Sequence, residues 1–204
     1  MKANHLEFLV EEPSMEAFLC EILPKILNGL ATFSIHAYQG KPDLLKNLPG
    51  RLRGYSKWLP ADTRIVVLVD RDDENCSALK QRLENAAVDA KLATRASEGP
   101  NWRVVNRIAV EELESWFFGE WASVQKAYPK ASKSIASKAS YRHCDAISGG
   151  TWEALERVLK KAGYFSAGLR KVEAARQIGQ YFEPAACVSP SFAVLRLALA
   201  EATR

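Results

Sequence analysis

The chain has 204 residues, 48% apolar and 25% charged, with a formal net charge of +4. That balance excludes a disordered or collagen-like polypeptide, and the length suffices to bury a core without disulfide staples. Cys20, Cys76, Cys144 and Cys187 are scattered, with no Cys-x-x-Cys or Cys/His pairing, which argues against a zinc site and for a reduced, cytoplasmic setting.

The N-terminus leads straight into a strand-like run, His5 to Val10, without the long apolar region of a signal peptide. No stretch is apolar enough to span a membrane. Glu11-Glu12-Pro13-Ser14 ends the strand, and Ser14 is placed to cap a helix from Met15 to about Leu27. Its buried face is Met15, Phe18, Leu19, Ile22, Leu23 and Ile26. Thr32 to Tyr38 alternates apolar and polar and predicts a second strand. A turn follows at Gln39-Gly40-Lys41-Pro42. Asp43 then caps a helical segment running to Trp58, interrupted at Pro49-Gly50.

Ile65-Val66-Val67-Leu68-Val69 is a continuous apolar run, the pattern of a parallel strand buried on both faces. It stops at Asp70-Arg71-Asp72-Asp73. A helix from about Asn75 to Ala87 comes next. Lys91 to Thr94 is a short strand candidate and Arg103 to Val110 a stronger one. Glu111-Glu112-Leu113-Glu114 then turns helical through Phe118, and further helices are predicted at about 121–128, 152–162, 170–181 and 191–202. Strand–helix alternation in the first part predicts an α/β fold, a mostly parallel sheet flanked by helices. The expected organisation is an α/β core over residues 1–120 and a basic helical subdomain over 121–204. His5, His36 and His143 are scattered and receive no role, and Trp116, Phe117 and Phe118 are expected in the core.

Charge is distributed unevenly. Met1–Gln125 carries 15 basic against 18 acidic residues, Lys126–Arg204 13 against 6. An acidic region beside a basic one suits a polyanion handled through metal ions, and Lys130, Lys133 and Lys138 are expected on a nucleic-acid surface.

Three acidic groups each follow an apolar strand: Glu11-Glu12, Asp70 to Asp73, and Glu111 to Glu114. Parallel neighbouring strands would gather all three at one edge, where ligands of open α/β sheets bind. Carboxylates aimed at one spot repel unless a cation sits between them, and Mg²⁺ favours carboxylate oxygens with retained waters. Asp70 and Asp72, two apart, point the same way if the strand continues. The same residues also read as a solvated acidic turn before a helix, and Glu16 as a complement to a helix dipole. Glu112 and Glu114 diverge on a regular helix and converge only on an extended strand.

The pattern strand-Val10-Glu11-x-x-Ser14-x-Glu16-helix, followed later by Val69-Asp70-Arg71-Asp72-Asp73, resembles the Toprim fold of topoisomerases, primases and overcoming-lysogenization-defect nucleases. More closely, the chain is similar to small Toprim-like proteins encoded beside ABC/AAA-type ATPases in bacterial defence operons. Glu-Leu-Glu-Ser-Trp-Phe, Arg170-Lys171-Val172 and Ser189-Pro190-Ser191-Phe192 extend this likeness over nearly the whole chain. Glu12 stands where Toprim proteins usually have Gly, which leaves open which of Glu11 and Glu12 is the main acidic residue. The resemblance implies a metal-dependent nuclease acting with Mg²⁺ or Mn²⁺ on nucleic acid, the effector of an ATPase-linked anti-phage system. Glu11 would be its acid/base or metal residue, Asp70 and Asp72 its metal holders, and Glu12, Glu16, Asp73, Glu112 and Glu114 further acids. Lys171 would neutralise the cleaved phosphate.

A regulatory Toprim-like subunit of an ATPase complex is the alternative. A haloacid-dehalogenase-like phosphatase carries its Asp-x-Asp on the first strand, unlike this chain, and a sugar-nucleotide transferase has no further support. No phosphate-binding Gly-x-x-x-x-Gly-Lys-[Ser/Thr] loop is present, so any ATPase must be a partner.

Overall fold

A computed structural model describes residues 2–204. The elements in chain order are β1 (His5–Val10), α1 (Pro13–Leu27), β2 (Thr32–Ala37), α2 (Lys41–Trp58), β3 (Thr63–Asp70), α3 (Cys76–Asp89), α4 (Arg95–Glu98), β4 (Val104–Ala109), α5 (Glu114–Gly119), α6 (Trp121–Ala127), α7 (Thr151–Lys161), α8 (Lys171–Tyr181) and α9 (Pro190–Ala202). The four strands form one all-parallel sheet in the order β2-β1-β3-β4. The expected α/β class, a parallel sheet flanked by helices, is the one observed. No helix among the described residues is long and apolar enough to cross a membrane.

All eight residues of β3 are buried, as the unbroken apolar run requires of a strand covered on both faces. The two-residue period sends Phe8, Val66 and Leu68 into a core shared with α1, α8 and α9. Leu9, Ile65, Val67 and Val69 enter a second core under α2 and α3. The first core is the larger and runs from Ala3 to Ala202, so the helical third packs on the sheet through one apolar interior. Phe18 sits at its centre, its ring 5.2 Å from Phe117 and 4.9 Å from Phe182.

Helix α8 lies against α1. A Cβ at Gly179 would stand 2.8 Å from the Glu21 Cβ, so only glycine permits that approach. Lys25 of α1 donates to the carbonyls of Gly179, Gln180 and Phe182 at 2.7–3.0 Å and so caps the end of α8. Both devices hold the helix whose first residue is Lys171.

Several local expectations are corrected. Helix α1 begins at Pro13 with Glu12 as N-cap, and the Ser14 hydroxyl donates to the Glu12 carboxylate instead of capping. Helix α2 runs unbroken through Pro49-Gly50 from an N-cap at Gly40. Asp43 lies in its first turn, accepting from Gln39 N–H at 3.0 Å. Lys91 to Thr94 is not a strand: Thr94 makes one isolated bridge and caps α4. Ser189, not Ser191, caps α9, and Ser191 Oγ accepts from the buried Trp116 indole at 2.9 Å. Trp116, Phe117 and Phe118 are core residues, as expected.

Candidate metal centre

Register brings the acidic groups together. Val10 pairs with Leu68 and Asp70 with Ala109, so β1, β3 and β4 end side by side with β3 in the middle. Glu11, Asp70 and Glu114 form the inner layer. Asp70, the last residue of β3, is 5% exposed, and its Oδ1 has no hydrogen-bond partner. Glu114, in the first turn of α5, is 2% exposed with Oε2 equally unpartnered. Glu11 accepts from the Asp70 backbone N–H at 3.1 Å, which fixes its carboxylate beside the end of β3.

The electrostatics follow from this burial. Desolvation raises Glu11 and Glu114 from about 4.5 to about 7. Asp70 is driven well above the usual carboxylate range, first by desolvation and then by the charges of Glu11, Glu114, Glu12 and Asp72. Burial lowers the Lys171 pKa, but attraction to Glu114, Glu12, Glu112 and Asp70 outweighs it and raises the net value. Lys171 thus answers most of the acidic residues at this edge, 4.0 Å from Glu12 and 5.2 Å over the Trp152 ring.

The outer layer is tied to the protein. Strand β3 ends at Asp70, and Asp72 turns into the left-handed region at φ 49°, so the two aspartates do not share a strand face. Asp72 instead pairs with the buried Lys41 at 2.8 Å. Lys41 also reaches Glu74 at 3.1 Å and the Arg71 carbonyl at 3.0 Å. Arg71 pairs with Glu111, itself left-handed at φ 65°, and the Asp72 N–H donates to the Glu111 carbonyl at 2.9 Å. Strand β4 ends at Ala109, so Glu112 and Glu114 do not lie on an extended strand. Glu112 Oε2 accepts from Thr151 N–H, Thr151 hydroxyl and Trp152 N–H, each at 2.9 Å, and so caps α7. Asp73 is exposed on the wall of a cleft of about 660 Å³ beside this edge, lined also by Asp72, Glu111, Glu112 and Glu153. Glu16 sits in the first turn of α1 and is not among the charges that most perturb Asp70.

A family model for DUF4276, a domain of unknown function, matches residues 10–200. The chain belongs to the DUF4276 family. No curated protein and no solved structure matches it. The matched span starts on the last residue of β1 and so takes in every acidic group of this DUF4276 site.

The inner layer fits a hard cation. It offers carboxylate oxygens only, two of them orphaned where an unpartnered polar atom is costly. Among the described residues, no three His, Cys, Asp or Glu side chains already stand in a metal-enclosing group, the three inner carboxylates included, so binding would require their side chains to converge. Sequence reasoning missed Lys41, Arg71, Trp152 and the Thr151 end of α7. Lys41, the first residue of α2, stands 29 residues before Asp70, and no periodicity links the two.

Proposed function

We propose that this DUF4276 chain cleaves nucleic-acid phosphodiesters at the acidic sheet edge, as the effector of an ATPase-linked anti-phage system. The observation that carries the chemistry is Asp70, a buried carboxylate with an orphan oxygen, in the fields of Glu11 and Glu114. Such a group is held at a cost in the metal-free protein, and functional sites are where such groups collect. A bound Mg²⁺ or Mn²⁺ would supply charge neutralisation for the phosphate and an activated water. Glu11, Asp70 and Glu114 would hold the ion. Glu11, raised to about 7 by burial in the metal-free protein, would be held deprotonated by the bound ion. Lys171 meets the phosphate charge from the start of α8. The ATPase and the defence setting rest on the family resemblance.

The regulatory reading is supported by a different observation. Asp72 is paired to Lys41 and Glu112 to α7, so neither is free to join the inner carboxylates unless its tie releases. One experiment separates the two. Mn²⁺ and Mg²⁺ should raise the melting temperature of the wild type and not of Asp70→Asn, and DNA or RNA cutting should vanish in Glu11→Gln. Metal binding without cutting, even with an adjacent ATPase added, establishes the regulatory reading. No metal response in the wild type removes the metal centre.

A further inference from the structure

The acidic cleft has neighbours. Ala146, Ile147 and Ser148 line both it and a second hollow of about 380 Å³. Tyr141 and Arg157 line both that hollow and a third of about 500 Å³. The three adjoin, so one surface path leads from the acidic edge along the start of α7 and down its side.

The far end of that path is basic. Lys130, Lys138, Arg157 and Lys161 line the third hollow. None of the four has an ion pair or side-chain hydrogen bond among the described residues. The next lysine on α7 behaves differently: Lys160 pairs with Glu156 at 3.1 Å. Arg157 and Lys161 are four apart on α7 and lie side by side, an arrangement that destabilises a helix unless an anion lies across it. Lys133, in the same basic loop, does not line the hollow.

We propose that this basic groove, formed by Lys130, Lys138, Arg157 and Lys161, binds the sugar–phosphate backbone of a nucleic-acid strand whose continuation reaches the acidic cleft. Each cation meets a phosphate oxygen, and the contact is to backbone, not base edges, so affinity is insensitive to sequence. The groove rests on the nuclease reading for what happens at the acidic end, but its binding is separable from cutting.

The test uses the full chain and a labelled single-stranded oligonucleotide in EDTA, so that no cutting occurs. Lys138→Glu with Arg157→Glu should weaken binding at least about tenfold at low salt, and lower the salt slope by about 1.4 for the two phosphates lost. Lys133→Glu should change it less than twofold. The milder Lys138→Gln with Arg157→Gln, with a circular-dichroism melt, guards against unfolding and should give the same lower slope. Equal loss in Lys133→Glu, unchanged binding in the groove variants, or no binding by the wild type at low salt overturns the groove. Groove-dependent binding by a wild type that never cuts leaves the groove standing and removes the nuclease reading. Cutting that the groove variants retain in full does the reverse.

Discussion

The acidic sheet edge and the basic groove hold their charges in opposite ways. At the edge every cation is spoken for: Lys41 by Asp72 and Glu74, Arg71 by Glu111, Lys171 by the field of four carboxylates. The unsatisfied atoms there are buried carboxylate oxygens. In the groove the cations are exposed and unpaired, and no acid lines it. A single-sign deficit at each end is what a ligand carrying cations to one end and phosphates to the other would fill.

Removing the buried carboxylate should have the largest effect. Asp70→Asn should reduce metal affinity by more than the roughly 10–100-fold seen when outer partners of a metal site are lost, measured by Mn²⁺ titration. The same variant should leave the metal-free protein at least as stable as the wild type at neutral pH, because it removes a carboxyl whose ionisation burial and its acidic neighbours oppose. A metal-free protein destabilised by the change would mean that Asp70 is structural.

Lys41 is the cation whose release would change the edge. Its partners are about half exposed, so Lys41→Met should cost only about 1–2 kcal/mol, or about 2–8 °C in melting temperature. Metal affinity should rise, since a competing cation has gone and Asp72 is free to turn. A fall in affinity would show that Lys41 orients Asp72 for the ion.

Burial of the edge carboxylates also makes stability depend on pH. Glu11 and Glu114 titrate near 7 in the fold against an ordinary value near 4.5, and Asp70 is displaced in the same direction. The folded chain therefore binds more protons than the unfolded chain between about pH 4.5 and 7, and stability falls as pH rises through that window. Lys41 and Lys171, both raised, stay charged throughout. The melting temperature in EDTA should drop from pH 5 to pH 8, and Mg²⁺ should reverse the drop only at the upper end. A flat profile in EDTA would mean that the carboxylates are not desolvated together.

The smallest effect tests the joint between the regions. Glu112→Gln keeps an acceptor at the start of α7 but removes the charge facing its dipole, a loss of about 0.3–1 kcal/mol. The melting temperature should fall by about 1–4 °C. Oligonucleotide binding should change less than twofold, since Arg157 and Lys161 stay on the same helix face.

Local chemistry was enough to place β3, whose unbroken apolar run stops at Asp70, and also β1 and β4, which are apolar-rich despite Glu7, Asn106 and Arg107 and are followed within two residues by acids. It also placed the acidic groups at strand ends, and parallel pairing in register then brought them to one edge. What sequence spacing could not supply was the direction of each carboxylate. Asp72 and Glu112 read as equivalents of Asp70, yet a left-handed backbone and the buried Lys41 claim the first, and the start of α7 claims the second. Asp70 is distinguished from them by burial, which only the packed fold around the end of β3 decides. The groove is likewise tertiary: Lys130 and Lys138 lie 19 or more residues from Arg157 and Lys161, and Lys133 looks no different from them in the sequence. Charge type is a property of the residue, but partner, exposure and pKa are properties of what the fold packs against it.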